Sequence, residues 1–159
     1  MSKSNSALAV HFSSKKTDWE TPQDLFDQLN REFDFTLDVC ANPDNAKCDF
    51  FFGPQLPPYT FLDGLTLSWI LPGRERNCCW MNPPYGREIG KWVKKAYEES
   101  LKGCTVVALL PSRTDTRYFH EYIYNKPNVE IRFVRGRIRF VGAKSVAPFP
   151  SMIVVFRPR

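Results

Sequence analysis

The sequence predicts one α/β domain, and three consecutive segments in its middle indicate this fold class. Residues 78–81 (CCWM) form a short apolar run that ends abruptly at Asn82. Residues 87–102 carry apolar side chains at helical spacing, and Gly103 follows them. Residues 105–110 (TVVALL) are continuously apolar, as in a buried parallel strand. Strand, helix and strand at this spacing form a βαβ unit, so we expect a mostly parallel sheet.

Length and composition exclude several classes of protein. The chain has 159 residues, 43% of them hydrophobic, which is enough for one domain with a substantial core. No apolar run approaches the length of a membrane span, and no signal peptide is apparent, so we expect a cytoplasmic protein without membrane contact. The five cysteines include no C-x-x-C pair and the two histidines lie apart, so we expect buried, reduced thiols and no metal site.

Charge is distributed unevenly along the chain. Residues 1–109 carry 12 lysines and arginines against 14 carboxylates, whereas residues 110–159 carry 10 against 3. A basic C-terminal part suits a polyanionic partner, although a solvated basic face has the same composition.

The N-terminal part predicts a flexible arm followed by a helix. Residues 1–16 are polar with little periodicity, so we place the folded domain at residues 17–159. Thr21 is a good N-cap, and Pro22 suits the first helical position. Trp19, just before them, fits either a hydrophobic staple or a ligand contact.

A buried strand is predicted over residues 35–42, where Asp38 is an isolated carboxylate in an apolar run. A buried carboxylate needs a partner, and ligands of open α/β sheets bind beyond the carboxyl ends of the strands. Residues 42–62 predict a long ordered loop, with a short strand at residues 50–52. Asp63 then begins an Asp-Gly-Leu sequence that fits an Asx turn and an acidic ligand contact equally well.

The motif Asn82-Pro83-Pro84-Tyr85 is the strongest candidate site. The two prolines fix the backbone and remove two N–H donors, so the loop offers acceptors. Asn82 contributes a side-chain oxygen, Pro83 a carbonyl and Tyr85 an aromatic face. Two hydrogen-bond acceptors beside an aromatic ring suit a planar group that carries an exocyclic amino group.

The C-terminal third predicts a loop with Arg113 and Asp115, a short helix near residues 116–125, and a final buried strand at residues 151–156. Between them comes the segment at residues 129–134, and residues 135–140 then predict a hairpin in which Arg135, Arg137 and Arg139 alternate with apolar residues. Such a hairpin is either an ordinary edge with solvated arginines or a strip that contacts phosphates.

These segments, in this order, resemble the phage-type N6-adenine DNA methyltransferases, the Dam family. The resemblance covers Trp19-x-Thr21-Pro22, the Leu-Asp-x-x-Ala of residues 37–41, Asp63-Gly64-Leu65, the Asn82 motif, and the later Leu-Pro-x-x-Thr-Asp-Thr and Gly-Arg-Ile-x-Phe sequences. The chain lacks the glycine-rich cofactor loop of many other methyltransferases.

The resemblance implies a Rossmann-like class I methyltransferase sheet, mostly parallel with an antiparallel last strand and with helices on both faces. It implies S-adenosylmethionine as cofactor and adenine N6 in DNA as substrate, without a separate target-recognition domain. The implied residues fall into three groups. The catalytic group is Asn82, Pro83, Pro84 and Tyr85; the cofactor group is Trp19, Thr21, Pro22, Asp38, Ala41 and Asp63; the DNA group is Arg113, Arg135, Arg137 and Arg139.

Two other functions share parts of this pattern. A protein-glutamine or other amino-group methyltransferase has the same catalytic motif, but it gives no reason for the arginine-rich segment. A catalytically inactive DNA-binding protein on the same fold has little reason to keep the whole Asn82 motif. The sequence gives neither the target sequence nor the oligomeric state.

Overall fold

The structure, a computed structural model, describes residues 18–58 and 60–159. The predicted N-terminal arm, residues 1–16, lies outside the described residues. The elements in chain order are α1 (Gln23–Phe33), β1 (Leu37–Asp38), β2 (Cys78–Met81), α2 (Ile89–Leu101), β3 (Thr105–Pro111), a π-helical turn (Phe119–Ile123), β4 (Val129–Phe133) and β5 (Ser151–Phe156). No helix in the described part of the chain is long and apolar enough to span a bilayer.

The five strands form one open, mixed sheet in the order β1-β2-β3-β5-β4. Strands β1, β2 and β3 run parallel, with Trp80 beside both Asp38 and Val107. The last strand, β5, lies between β3 and β4 and is antiparallel to both. Strands β2 and β5 are buried along their whole length, which explains why their sequences are apolar without alternation. The parallel arrangement brings the carboxyl ends of β1, β2 and β3 to one edge of the sheet.

The predicted strand over residues 35–42 is much shorter in the structure. Only Leu37 and Asp38 belong to β1, and the chain then pairs with residues 50–52 through an isolated bridge between Asp38 and Phe51. The Asp38 N–H donates to the Phe50 carbonyl, and the Phe52 N–H donates to the Asp38 carbonyl. The predicted short strand at residues 50–52 is therefore this bridge, which folds the first part of the long loop back onto β1.

The segment after the predicted loop is held by a buried carboxylate on α2. Glu99 is fully buried and accepts a hydrogen bond from the Trp69 N–H at 2.5 Å. The Lys95 and Lys102 ammonium groups lie 3.4 and 3.1 Å from the same carboxylate. Within the predicted loop the Leu62 N–H donates to the Gly53 carbonyl at 3.0 Å, and beyond it a helix residue satisfies the Trp69 N–H.

The predicted start of the first helix is wrong by one residue. Helix α1 begins at Gln23, and Pro22 occupies the N-cap position without a side-chain cap. Thr21 does not cap the helix, because its buried hydroxyl accepts a hydrogen bond from the Asn82 side chain.

The predicted arginine hairpin is also wrong. Strand β4 ends at Phe133, and residues 137–140 belong to no strand. The side chains are nevertheless buried in alternation: Ile138 and Phe140 are buried, whereas Arg137 and Arg139 are exposed. Phe140 is buried because its ring packs edge-on against the Trp19 ring, with 5.3 Å between the ring centroids, instead of against a strand partner. The predicted helix over residues 116–125 is reduced to the π-helical turn.

Candidate active site

Asn82 follows β2 directly and has one polar atom without a partner. Its side-chain nitrogen donates to the Trp19 carbonyl at 2.5 Å and to the Thr21 hydroxyl at 2.9 Å. A backbone carbonyl only accepts, so the amide nitrogen has to face Trp19 and the amide oxygen has to face away. That oxygen is buried and receives no hydrogen bond from the described residues. A buried, unpaired acceptor is costly unless a ligand satisfies it.

The prolines that follow Asn82 extend this set of acceptors. Pro83 is buried and Pro84 half-buried, and neither has an N–H to donate. No described residue donates a hydrogen bond to the Pro83 carbonyl. The loop therefore provides acceptors and no backbone donor where a donor group would bind.

Tyr85 has a different position from the other three residues of the motif. The side chain is 7% exposed, and its hydroxyl donates to the Leu109 carbonyl at 2.8 Å. The ring lies edge-on to the rings of Phe149 and Phe140, at 5.7 and 6.4 Å between centroids. Trp19 packs against the same two phenylalanines. Tyr85 thus belongs to an aromatic cluster with Trp19, Phe140 and Phe149, and its ring faces are not open.

A cleft of about 430 Å³ lies beside Asn82, at the carboxyl ends of β1 and β2. Four of the six predicted cofactor residues line it, namely Trp19, Thr21, Asp38 and Ala41, together with three residues of the catalytic motif, Asn82, Pro83 and Pro84. The structure therefore brings the Asn82 motif and most of the predicted cofactor residues to one cavity.

Pro22 and Asp63 are not among the described residues that line this cleft. Pro22 stands at the start of α1. The Asp63 carboxylate accepts a hydrogen bond from the Leu65 N–H at 2.9 Å, which is the Asx turn that the sequence left open. The next residue, Gly64, has to be a glycine, because a Cβ at this position would lie 2.2 Å from the Val39 carbonyl oxygen.

Asp38 is 2% exposed, and its carboxylate is held by two backbone N–H groups. One oxygen accepts from Cys40 at 3.2 Å and the other from Lys47 at 3.0 Å. Burial raises the pKa of Asp38 to about 7, although the two hydrogen bonds and the Lys47 charge act in the opposite direction. The carboxyl group consequently changes its charge near neutral pH, on the wall of the cleft.

Sequence reasoning missed several cleft residues because they occur in turns. Asn42 and Asn45 close a turn by accepting hydrogen bonds from each other's N–H groups, and both line the cleft. The Asn-Pro-Asp-Asn sequence at 42–45 is a recognisable turn signal that could have located this wall. Val141 lies on the cleft because its N–H donates to the Glu20 carbonyl at 3.0 Å, a contact without a sequence signal.

Carboxylates outnumber ammonium groups around the cleft. Asp18, Glu20 and Asp38 line it, and Lys47 is the one lysine or arginine among its described lining residues. The Lys47 ammonium donates to the Gln23 side-chain oxygen at 2.9 Å. The cleft therefore favours a ligand that carries positive charge. No cluster of His, Cys, Asp and Glu in the described residues is arranged to hold a metal ion.

The predicted DNA-binding arginines are exposed and lie outside this cleft. Arg113 places its guanidinium 6.0 Å from the centre of the Phe149 ring. Arg139 donates to the Ala143 carbonyl at 3.1 Å, and no described residue pairs with Arg135 or Arg137. Arg132, in the same segment, binds Glu32 and Glu130 at 2.7 and 2.6 Å.

Two comparisons with known proteins agree with each other. The family model described as "DNA N-6-adenine-methyltransferase (Dam)" matches residues 10–159. A protein of Haemophilus phage HP1 (strain HP1c1), described as "DNA N-6-adenine-methyltransferase", is 28% identical over 157 residues. That alignment covers 92% of this chain and 84% of the phage protein.

Proposed function

Because the chain belongs to the DNA N-6-adenine-methyltransferase (Dam) family, we propose that it transfers a methyl group from S-adenosylmethionine to adenine N6 in DNA. The observation that carries this proposal is the Asn82 side-chain oxygen, a buried acceptor without a partner among the described residues. The exocyclic amino group of adenine is a donor of the kind that this oxygen lacks. A base inside a duplex cannot reach the cleft, so the adenine has to be flipped out.

The cleft residues fit the proposed cofactor. S-adenosylmethionine carries positive charge on its sulfur and its amino group, and three carboxylates, Asp18, Glu20 and Asp38, line the cleft. The volume of about 430 Å³ lies in the range of small-molecule sites. We propose that Trp19, Thr21, Asp38 and Ala41, which line the cleft, bind the cofactor; a cofactor contact of Pro22 or Asp63 stays a prediction. When bound, the cofactor supplies a methyl group on an electron-poor sulfur.

The sheet supports the same assignment. Three parallel strands followed by a last strand antiparallel to its neighbours fit a Rossmann-like methyltransferase domain. In open α/β sheets ligands bind beyond the carboxyl ends of the strands, which is where Asp38 and Asn82 lie. We propose that residues 17–159 form one catalytic domain, acting in the cytoplasm of a bacterial host.

The protein's contribution to the chemistry is to hold the amino group and to stabilise charge. The lone pair of adenine N6 is delocalised into the ring, which makes N6 a poor nucleophile. Hydrogen bonds to the Asn82 oxygen and the Pro83 carbonyl favour a more pyramidal nitrogen, whose lone pair is available. The same two acceptors stabilise the positive charge that develops on N6 during transfer. No covalent enzyme intermediate is required.

Tyr85 needs a conformational step in this scheme. We propose that the flipped adenine stacks on its ring, as the resemblance implies. The Phe140 and Phe149 rings pack against that ring in the structure, and both belong to the segment between β4 and β5. That segment therefore has to shift when the base enters.

The proposal is tested by offering labelled cofactor and either DNA or protein to the purified enzyme. We expect label in DNA at adenine N6, and Asn82→Ala should lower kcat about 10²–10³-fold, as when one transition-state hydrogen bond is removed elsewhere. Cofactor affinity by calorimetry should stay close to that of the parent, since Asp38 and its neighbours remain. Label in protein, or activity of Asn82→Ala within a few fold of the parent, contradicts the proposal.

A further inference from the structure

A second cavity, of about 320 Å³, lies on the other side of the Asn82 motif. Its lining includes Tyr85, Gly90, Tyr118 and three arginines, Arg87, Arg113 and Arg117, and we call it the arginine-rimmed cavity. It has no lining residue in common with the cofactor cleft. Residues 82–84 line the cleft and Tyr85 lines the cavity, so a single loop separates the two.

The rim of this cavity suits a phosphate group. Its three arginines are exposed, and none of the described carboxylates forms an ion pair with Arg87 or Arg113. Arg117 pairs with Glu121 at 3.3 Å while its side chain stays 94% exposed. The first two residues of α2 also line the cavity, and no side chain caps that helix. Arginines favour an anion, whereas the Ile89 and Lys91 N–H groups at the start of α2 already donate to the Gly86 and Glu88 carbonyls.

Inside the cavity wall, the Tyr118 hydroxyl lacks a partner. The side chain is 8% exposed, and no described residue hydrogen-bonds to its oxygen. The Thr116 hydroxyl donates to the Arg113 carbonyl at 2.8 Å and accepts from the Phe119 N–H at 3.3 Å. A buried, unsatisfied hydroxyl destabilises the folded protein unless a bound molecule completes it. Because a hydroxyl both donates and accepts, it suits the polar edge of a base.

We propose that the arginine-rimmed cavity binds the nucleotide next to the target adenine on the same DNA strand. Its phosphate contacts the arginine rim, and its base edge contacts the Tyr118 hydroxyl. The inference rests on the proposed function, because the adenine at Asn82 places its covalently linked neighbour on the far side of the same loop. The cavity then gives this domain a preference for the flanking base.

The test uses a pool of duplexes in which the positions beside one adenine are randomised. Sequencing of the protein-bound fraction and, separately, of the methylated fraction gives two preference profiles for the parent. Tyr118→Phe removes only the hydroxyl and should reduce the preference at one flanking position by between about twofold and about tenfold, the worth of one hydrogen bond. Tyr97→Phe is the matched control. Tyr97 lies in the C-terminal half of α2, where its ring packs against the Tyr122 ring.

A second variant probes the same cavity by filling it. A Cβ at Gly90 would lie 3.9 and 4.0 Å from two Tyr118 side-chain atoms, which is ordinary contact. Alanine also favours the helix, so Gly90→Ala should fold at least as well as the parent. It should alter the preference at the same flanking position, whereas a purely structural role for Gly90 predicts no such change.

The outcomes separate this inference from the proposed function. If the DNA is methylated but neither variant changes the preference at a flanking position, the cavity assignment is overturned and the proposed function is not affected. A uniform loss of methylation in Tyr118→Phe, without change at any flanking position, shows that the target adenine itself uses the hydroxyl and also overturns it. If the parent methylates no DNA but the bound fraction shows a flanking preference that both variants change, the proposed function fails and the cavity assignment stands.

Discussion

Thr21→Val tests whether the Trp-x-Thr-Pro segment positions the catalytic amide. Thr21 is 1% exposed, and its hydroxyl accepts a hydrogen bond from the Asn82 nitrogen at 2.9 Å. Valine has nearly the same shape and no acceptor, so one N–H of the Asn82 amide loses its partner. The Trp19 carbonyl still holds the other, at 2.5 Å.

The expected effect follows from the cost of a buried, unsatisfied donor, about 1–3 kcal/mol. If all of that cost appears as lost orientation of the amide, kcat falls by between about fivefold and about 150-fold. Relaxation of the loop toward water lowers the effect toward the smaller figure. Because the Asn82 oxygen remains, the loss should stay below that of Asn82→Ala.

The assay is single-turnover methyl transfer at saturating cofactor and DNA, with thermal unfolding measured in parallel. Thr36→Val is the matched control: the Thr36 hydroxyl donates to the Cys78 carbonyl and accepts from the Cys78 N–H, each at 3.1 Å, at the opposite end of β2. It should lower the melting temperature without changing the rate. A Thr21→Val rate equal to that of Thr36→Val refutes the positioning role.

Two further predictions concern charge. Because the pKa of Asp38 is raised to about 7, affinity for the cationic cofactor should rise as the pH increases from about 6 to about 8, and Asp38→Asn should bind more weakly without that dependence. Because the ordinary pKa of an aspartate is 3.8, the parent should lose stability as the pH rises from about 4 to about 7, and the stability of Asp38→Asn relative to the parent should improve over that range and then level off; a constant difference contradicts this. Arg135→Ala combined with Arg137→Ala should flatten the log–log salt dependence of DNA binding by about two units, about 0.9 per phosphate, and Arg31→Ala should not; the parent's slope in the double variant would place the DNA elsewhere.

The sequence predicted the sheet well where burial alone determines the pattern. Strands β2, β3 and β5 are continuously apolar because neighbours cover both faces, and their positions were correct to within one residue. The same reasoning failed at residues 137–140, where the alternation of arginine and apolar residues was real. Period-two burial predicts a strand only when a strand lies alongside, and here an aromatic cluster receives Ile138 and Phe140 instead.

The site was predictable in part for a related reason. Asn82 and Asp38 stand at the ends of apolar strands, and parallel topology brings strand ends together without further information. Contacts that depend on the path of a loop have no such signal. No residue pattern indicated that Thr21 would face Asn82 instead of capping α1, since both uses need only a hydroxyl and the choice depends on where residues 82–84 pass.

The contacts of Asn82 also connect cofactor binding with catalysis. Trp19 and Thr21 line the cleft and at the same time hold the Asn82 nitrogen, across more than 60 residues of chain. The two hydrogen bonds that Trp19 and Thr21 accept already set the direction of the Asn82 oxygen, in a cleft that all three residues line. An amide that is oriented by its neighbours needs no reorganisation when the adenine arrives, and preorganised groups of this kind supply most of the stabilisation in charge-developing reactions.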